Sequence, residues 1–125
     1  MEYRTWFMPL LLGLIASSGC GDNDPAPTEP PPASAAVDVG NDFFQSATNS
    51  SEPAVDTVAL NGTVTWTWTE VGDHGVAFDD HPSIPSSDIL FEAGSQHSVS
   101  FPAAGTFAYT CSVHRTRMSG VVVVR

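Results

Sequence analysis

Between Thr63 and Thr69 threonine alternates with Val64, Trp66 and Trp68, which puts three large apolar side chains on one face of an extended strand and the threonines on the other. Shorter runs predict further strands at Ala36–Val39, Ala54–Leu60, Gly75–Phe78, Ser87–Phe91, His97–Phe101, Gly105–Cys111 and Gly120–Val124. Turn-forming residues separate them: Asn61-Gly62, Gly72-Asp73, Pro82 with Pro85, Ala93-Gly94, Pro102 and Gly105. No segment carries a helical period, and no internal repeat is visible. Many short strands at this spacing predict an all-β protein, an antiparallel sandwich or barrel.

The pattern differs at the N-terminus. Arg4 precedes an apolar run from Trp6 to Ile15, and the small residues Ala16 to Gly19 follow it, so residues 1–19 read as an export signal. The run is much shorter than the roughly 20 apolar residues a bilayer span needs. Its end, Leu14-Ile-Ala-Ser-Ser-Gly-Cys20, resembles a bacterial lipoprotein processing site. That resemblance implies a lipid on Cys20, which becomes the mature N-terminus and anchors the exported chain to a membrane on the periplasmic side of the cell envelope. Residues 20–36 contain Pro25, Pro27, Pro30, Pro31 and Pro32 among small and acidic residues, a composition that stays extended and acts as a tether. Residues 37–125 then form the one folded domain. A domain of about 90 residues buries roughly 60–70 % of its unfolded surface, enough to fold without disulfides. The two cysteines, Cys20 and Cys111, stand in contexts too different to form a bridge.

Candidate chemistry is concentrated in Tyr109-Thr-Cys111-Ser-Val-His114-Arg-Thr-Arg-Met118-Ser-Gly120. A thiolate, an imidazole and a thioether so close together suit copper, and a second histidine would complete the donor set of a blue-copper site. With two residues between them, Cys111 and His114 can face one ion if the chain bends there. Three other histidines compete for the vacant place. His74 lies between a turn and a strand and ranks first, His81 sits in an acidic loop before Pro82, and His97 opens a strand and ranks last.

Four segments taken in order resemble the plastocyanin and amicyanin branch of the cupredoxins: Thr63 to Trp68, His74-Gly-Val-Ala-Phe-Asp79, Ala104-Gly-Thr-Phe-Ala-Tyr-Thr-Cys111-Ser-Val-His114, and Met118-Ser-Gly120-Val-Val-Val. The resemblance implies a Greek-key β-sandwich or barrel of about eight strands and one type 1 copper cycling between Cu(I) and Cu(II). Its implied ligands are His74, Cys111 and His114 in the equatorial positions and Met118 in the axial one. Two departures stand out. Three residues separate His114 from Met118 where the family commonly has two or four, and Gly75 follows the first histidine where the family often has a bracing asparagine. Bracing is then expected from Ser112 or Thr116.

The implied function is one-electron transfer between redox proteins, and the sequence has no paired-carboxylate signature or nucleophile elbow that would indicate an enzyme. A copper-delivery lipoprotein and a metal-free interaction module are the competing readings. Charge bears on the partner. The chain has no lysine and a formal net charge of -10, which excludes nucleic acid as a natural partner. Beyond the export signal its cations are Arg115, Arg117 and Arg125, two of them beside His114. An acidic, monomeric body with His114, Arg115 and Arg117 at the copper end would turn that end toward an acidic patch on a redox partner. The competing expectation is that both arginines pair internally with Asp73, Asp79 or Asp80.

Overall fold

The computed structural model describes residues 29–125. The segment expected to be an export signal, Cys20 and the first part of the expected tether lie outside those residues. Eight strands are present: β1 (Ser34–Gly40), β2 (Phe43–Ser46), β3 (Ala54–Val58), β4 (Thr63–Trp68), β5 (Val76–Ala77), β6 (Gln96–Ser100), β7 (Gly105–Cys111) and β8 (Arg115–Val124). They form two four-stranded sheets, ordered β2-β1-β4-β6 and β3-β8-β7-β5. Among the described residues no helix is long and apolar enough to cross a membrane.

The alternation read in β4 sets the core. Val64, Trp66 and Trp68 are all fully buried, while the intervening threonines are half-exposed. β1 runs parallel to β4 with Val37 opposite Trp66 and Val39 opposite Trp68, so both strands direct their large apolar side chains to the same inner face. On the outer face, Thr63 pairs with Ser100 and Thr65 with Ser98 through their hydroxyls, at 3.2 and 2.9 Å. Tyr109 from the opposite sheet meets Trp66 edge-on at 5.2 Å and Phe44 at 5.0 Å. Each such aromatic pair adds about 0.5–1.5 kcal/mol beyond the area it buries.

Several expectations are corrected. The sandwich is not wholly antiparallel: β1 pairs with β4, and β3 with β8, in parallel. The segment Ser87–Phe91 forms no strand and makes only a single antiparallel bridge, Leu90 to His74. β2 was not foreseen, because its Phe43-Phe44 pair interrupts the alternation expected of a strand. β8 opens at Arg115 rather than Gly120, so the spacer before Met118 is extended strand instead of loop. β1 opens at Ser34, within the segment read as tether, and the backbone carbonyls of Pro32 and Ala33 accept from Ala59 and Thr63.

One carboxylate is caught inside. Alternation along β3 points Ala54, Asp56 and Val58 inward together. The Ser46 hydroxyl donates to Asp56 Oδ1 at 2.6 Å, and Oδ2 has no partner. Burial raises the Asp56 carboxyl above its ordinary value, and the Ser46 hydrogen bond partly offsets this. A raised folded-state value means that the stability associated with protonated Asp56 is present at low pH and is lost as the pH rises through that value. Asp56→Asn keeps the acceptor for Ser46 and removes the charge. In urea denaturation the variant is therefore expected to gain stability over the parent as the pH rises above about 4, and a gap that stays constant with pH would contradict this.

Candidate metal centre

The pairing of β7 with both neighbours brings distant residues to one end of the sandwich. Cys111, the last residue of β7, stands opposite Val76 of β5, two positions after His74. The chain then turns through Ser112, Val113 and His114, and Arg115 returns opposite Cys111 with a φ of 56°. This is the bend that lets Cys111 and His114 face one point. His74 is fixed from the other side, its backbone N–H donating to Leu90 at 3.1 Å and its carbonyl accepting from Leu90 at 2.9 Å.

Three side chains converge. Cys111 Sγ lies 3.8 Å from His74 Nδ1 and 3.6 Å from His114 Nδ1, and the three ligand atoms all lie within 4.8 Å of one another. Two ligands bound at about 2.0–2.1 and 2.3 Å, at angles between tetrahedral and trigonal, stand roughly 3.5–3.8 Å apart. The sulfur-to-nitrogen separations therefore fit a single metal ion, and a thiolate with two imidazoles suits copper. The Val113 N–H also donates to the sulfur at 3.4 Å.

The two imidazoles differ in exposure. His74 is buried and His114 remains 28 % exposed. Burial lowers the proton affinity of His74, and the nearby His114 lowers it further, against the opposing pull of Asp42, Asp73 and Glu70. A neutral imidazole keeps a lone pair available to a metal.

Met118 is buried in β8. Ser119 stands opposite Thr110, both half-buried, so the flanking Met118 and Gly120 point inward, toward the side that Cys111 occupies. The other histidines are elsewhere. His81 packs edge-on against Phe107 at 4.9 Å, and His97 Nε2 lies 3.2 Å from the Pro85 carbonyl. Arg117 pairs with Asp42 at 3.9 Å rather than with Asp73, Asp79 or Asp80, while Arg115 lines a groove with Asp79 and Asp80.

Sequence reasoning missed the turn Asn41-Asp42. Asn41 Oδ1 lies 3.2 Å from His74 Nε2, and Asp42 Oδ1 lies 3.4 Å from His114 Nε2. The only sequence signal was an Asn-Asp pair after Gly40, which marks a turn but says nothing of what the turn touches. Gly75 is explained by close packing. The Ser112 N–H donates to its carbonyl at 3.2 Å, and a Cβ there would run into the buried, unpartnered Ser112 hydroxyl.

Comparison with known proteins agrees with this geometry. Residues 49–125 match the family described as copper binding proteins, plastocyanin/azurin family. Plastocyanin from Prochlorothrix hollandica is 29 % identical over 103 residues, spanning 74 % of this chain and 76 % of the relative. Amicyanin from Paracoccus versutus has a similar fold, with a TM-score of 0.56 at 22 % identity over 78 % of this chain and 92 % of that one. A copper-containing nitrite reductase from Thermus scotoductus gives a TM-score of 0.59 at 23 % identity, over 78 % of this chain but only 23 % of the enzyme's chain.

The contact between Gly75 and Ser112 makes a specific expectation. Gly75→Ala should destabilise the fold by about 1–3 kcal/mol through overpacking, and adding Ser112→Ala should recover most of that loss. Thermal or urea denaturation of the single and double variants checks it, and an additive double variant would show that the two residues do not oppose each other.

Proposed function

This chain belongs to the plastocyanin/azurin family of copper-binding proteins, and on that premise we propose that it is a one-electron carrier whose copper is held by His74, Cys111, His114 and Met118. The observation that carries the reading is the convergence of two imidazole Nδ1 atoms on one cysteine sulfur at the end of an apolar core. Bound copper supplies the Cu(II)/Cu(I) couple. The protein supplies a mixed donor set, with a thiolate and a thioether that suit Cu(I) and imidazoles that also suit Cu(II).

The residues divide the remaining work. His74 and Cys111 come from backbone segments locked by pairing to Leu90 and Val76, so the fold holds them in the same place whichever oxidation state is present. Trp66, Trp68, Phe78, Tyr109 and Met118 are buried in the same apolar core as Cys111, which keeps that side of the site apolar. His114 alone among the three converging side chains reaches solvent appreciably, and it is the path by which an electron enters or leaves.

Arg115 and Arg117 closely follow His114 on an otherwise acidic chain, which supports docking to an acidic patch on a redox partner.

Copper loading tests the central claim. A strong thiolate-to-copper absorption band in the visible is expected for the parent protein and should be absent in Cys111→Ser, whereas a parent that stays colourless after loading would overturn the assignment. Docking is checked separately. Replacing Arg115 and Arg117 with glutamine should flatten the ionic-strength dependence of electron transfer to an acidic redox protein, and an unchanged dependence would count against steering.

A further inference from the structure

We propose that the Asn41-Asp42 turn is a positioning device for both metal-binding histidines, giving the buried imidazole a neutral acceptor and the exposed one an anionic acceptor. The inference rests on the ligand assignment above and adds to it two residues outside the donor set. Gly40 of β1 pairs with Phe43 of β2, leaving Asn41 and Asp42 as a two-residue hairpin tip. Asp42 takes a φ of 67°, a conformation that aspartate and asparagine tolerate better than most residues. The Asn41 N–H donates to Glu70 Oε2 at 2.8 Å, which ties the tip to the segment following β4 and aims it at the site.

The chemistry follows from which ring nitrogen faces the sulfur. Both histidines turn Nδ1 toward Cys111, so in the form able to bind metal each carries its proton on Nε2 and needs an acceptor there. The turn provides both acceptors, Asn41 Oδ1 for His74 and Asp42 Oδ1 for His114. Room for the first contact is left by Gly72, where a Cβ would stand 2.6 Å from Asn41 Oδ1 and 3.0 Å from His74 Nε2. Acceptors of this kind fix the tautomer and the ring orientation and raise the basicity of the ligand. The carboxylate also favours the more positive oxidation state of the site, and Arg117, on the other oxygen of Asp42, moderates that effect.

Two measurements test the proposal. In the metal-free protein, nitrogen NMR of the imidazoles should show the Nε2–H tautomer at both His74 and His114, with His114 becoming a tautomer mixture in Asp42→Asn. In the copper-loaded protein, Asp42→Asn should raise the reduction potential, a change of about threefold in the ratio of Cu(II) to Cu(I) affinity or ~30 mV for a one-electron couple. Asp42→Glu should restore much of the parent value. Asparagine tolerates the same backbone conformation, so the variant keeps the turn. If Asp42→Asn nevertheless fails to load copper, Arg117→Gln gives the converse reading and should lower the potential. A metal-free His114 in the Nδ1–H tautomer, or an unchanged potential in Asp42→Asn, would overturn the role of Asp42. A metal-free His74 in the Nδ1–H tautomer would overturn that of Asn41. If the tautomers are as expected but the parent takes up no copper, the copper reading fails while the positioning of the imidazoles stands.

Discussion

A buried imidazole held against a cysteine sulfur at the end of an apolar sandwich is the constraint on which the rest of the molecule depends. His74 is almost fully enclosed, and that burial lowers its proton affinity. Burying a polar ring without partners is costly. The fold meets that cost with Asn41 on the far ring nitrogen and Cys111 on the near one, while the backbone bridge to Leu90 holds the residue in place. Each partner comes from a different part of the chain, so the site exists only once the sheets have assembled.

Small residues around the site reflect the same constraint. Gly72 leaves space for the Asn41 amide beside the His74 ring. Gly75 lets the Ser112 hydroxyl approach closely while the Ser112 N–H donates to the Gly75 carbonyl. Gly120 does the equivalent one layer deeper, where a Cβ would collide with the Tyr109 ring beneath the site. These glycines mark places where two strands and a ring must share a small volume, and there the missing Cβ outweighs the backbone entropy that glycine loses on folding.

The exposed side of the site combines opposing charges. Asp42 lies between His114 and Arg117, so the same carboxylate that supports the imidazole also tempers the positive surface beside it. Arg115 stands apart from Asp42 in the groove with Asp79 and Asp80. The basic spot expected from the loop is therefore divided, with Arg117 beside Asp42 and Arg115 in a groove with Asp79 and Asp80.

The sequence by itself determined the β architecture, the inward face of β4 and the nearness of Cys111 to His114. A two-residue period is a local property, and the motif around Cys111 lies within one turn. His74 was preferred to His81 and His97 on its place between a turn and a strand, and the geometry brings it to the sulfur. Tertiary structure decided the remainder. The parallel pairings of β1 with β4 and β3 with β8, the reduction of Ser87–Phe91 to a single bridge, and the early opening of β8 at Arg115 all depend on long-range register that local composition does not encode. The same holds for Asn41 and Asp42. In sequence they are an ordinary turn more than 30 residues from His74, and the parallel pairing of β1 with β4 helps carry that turn to the two imidazoles.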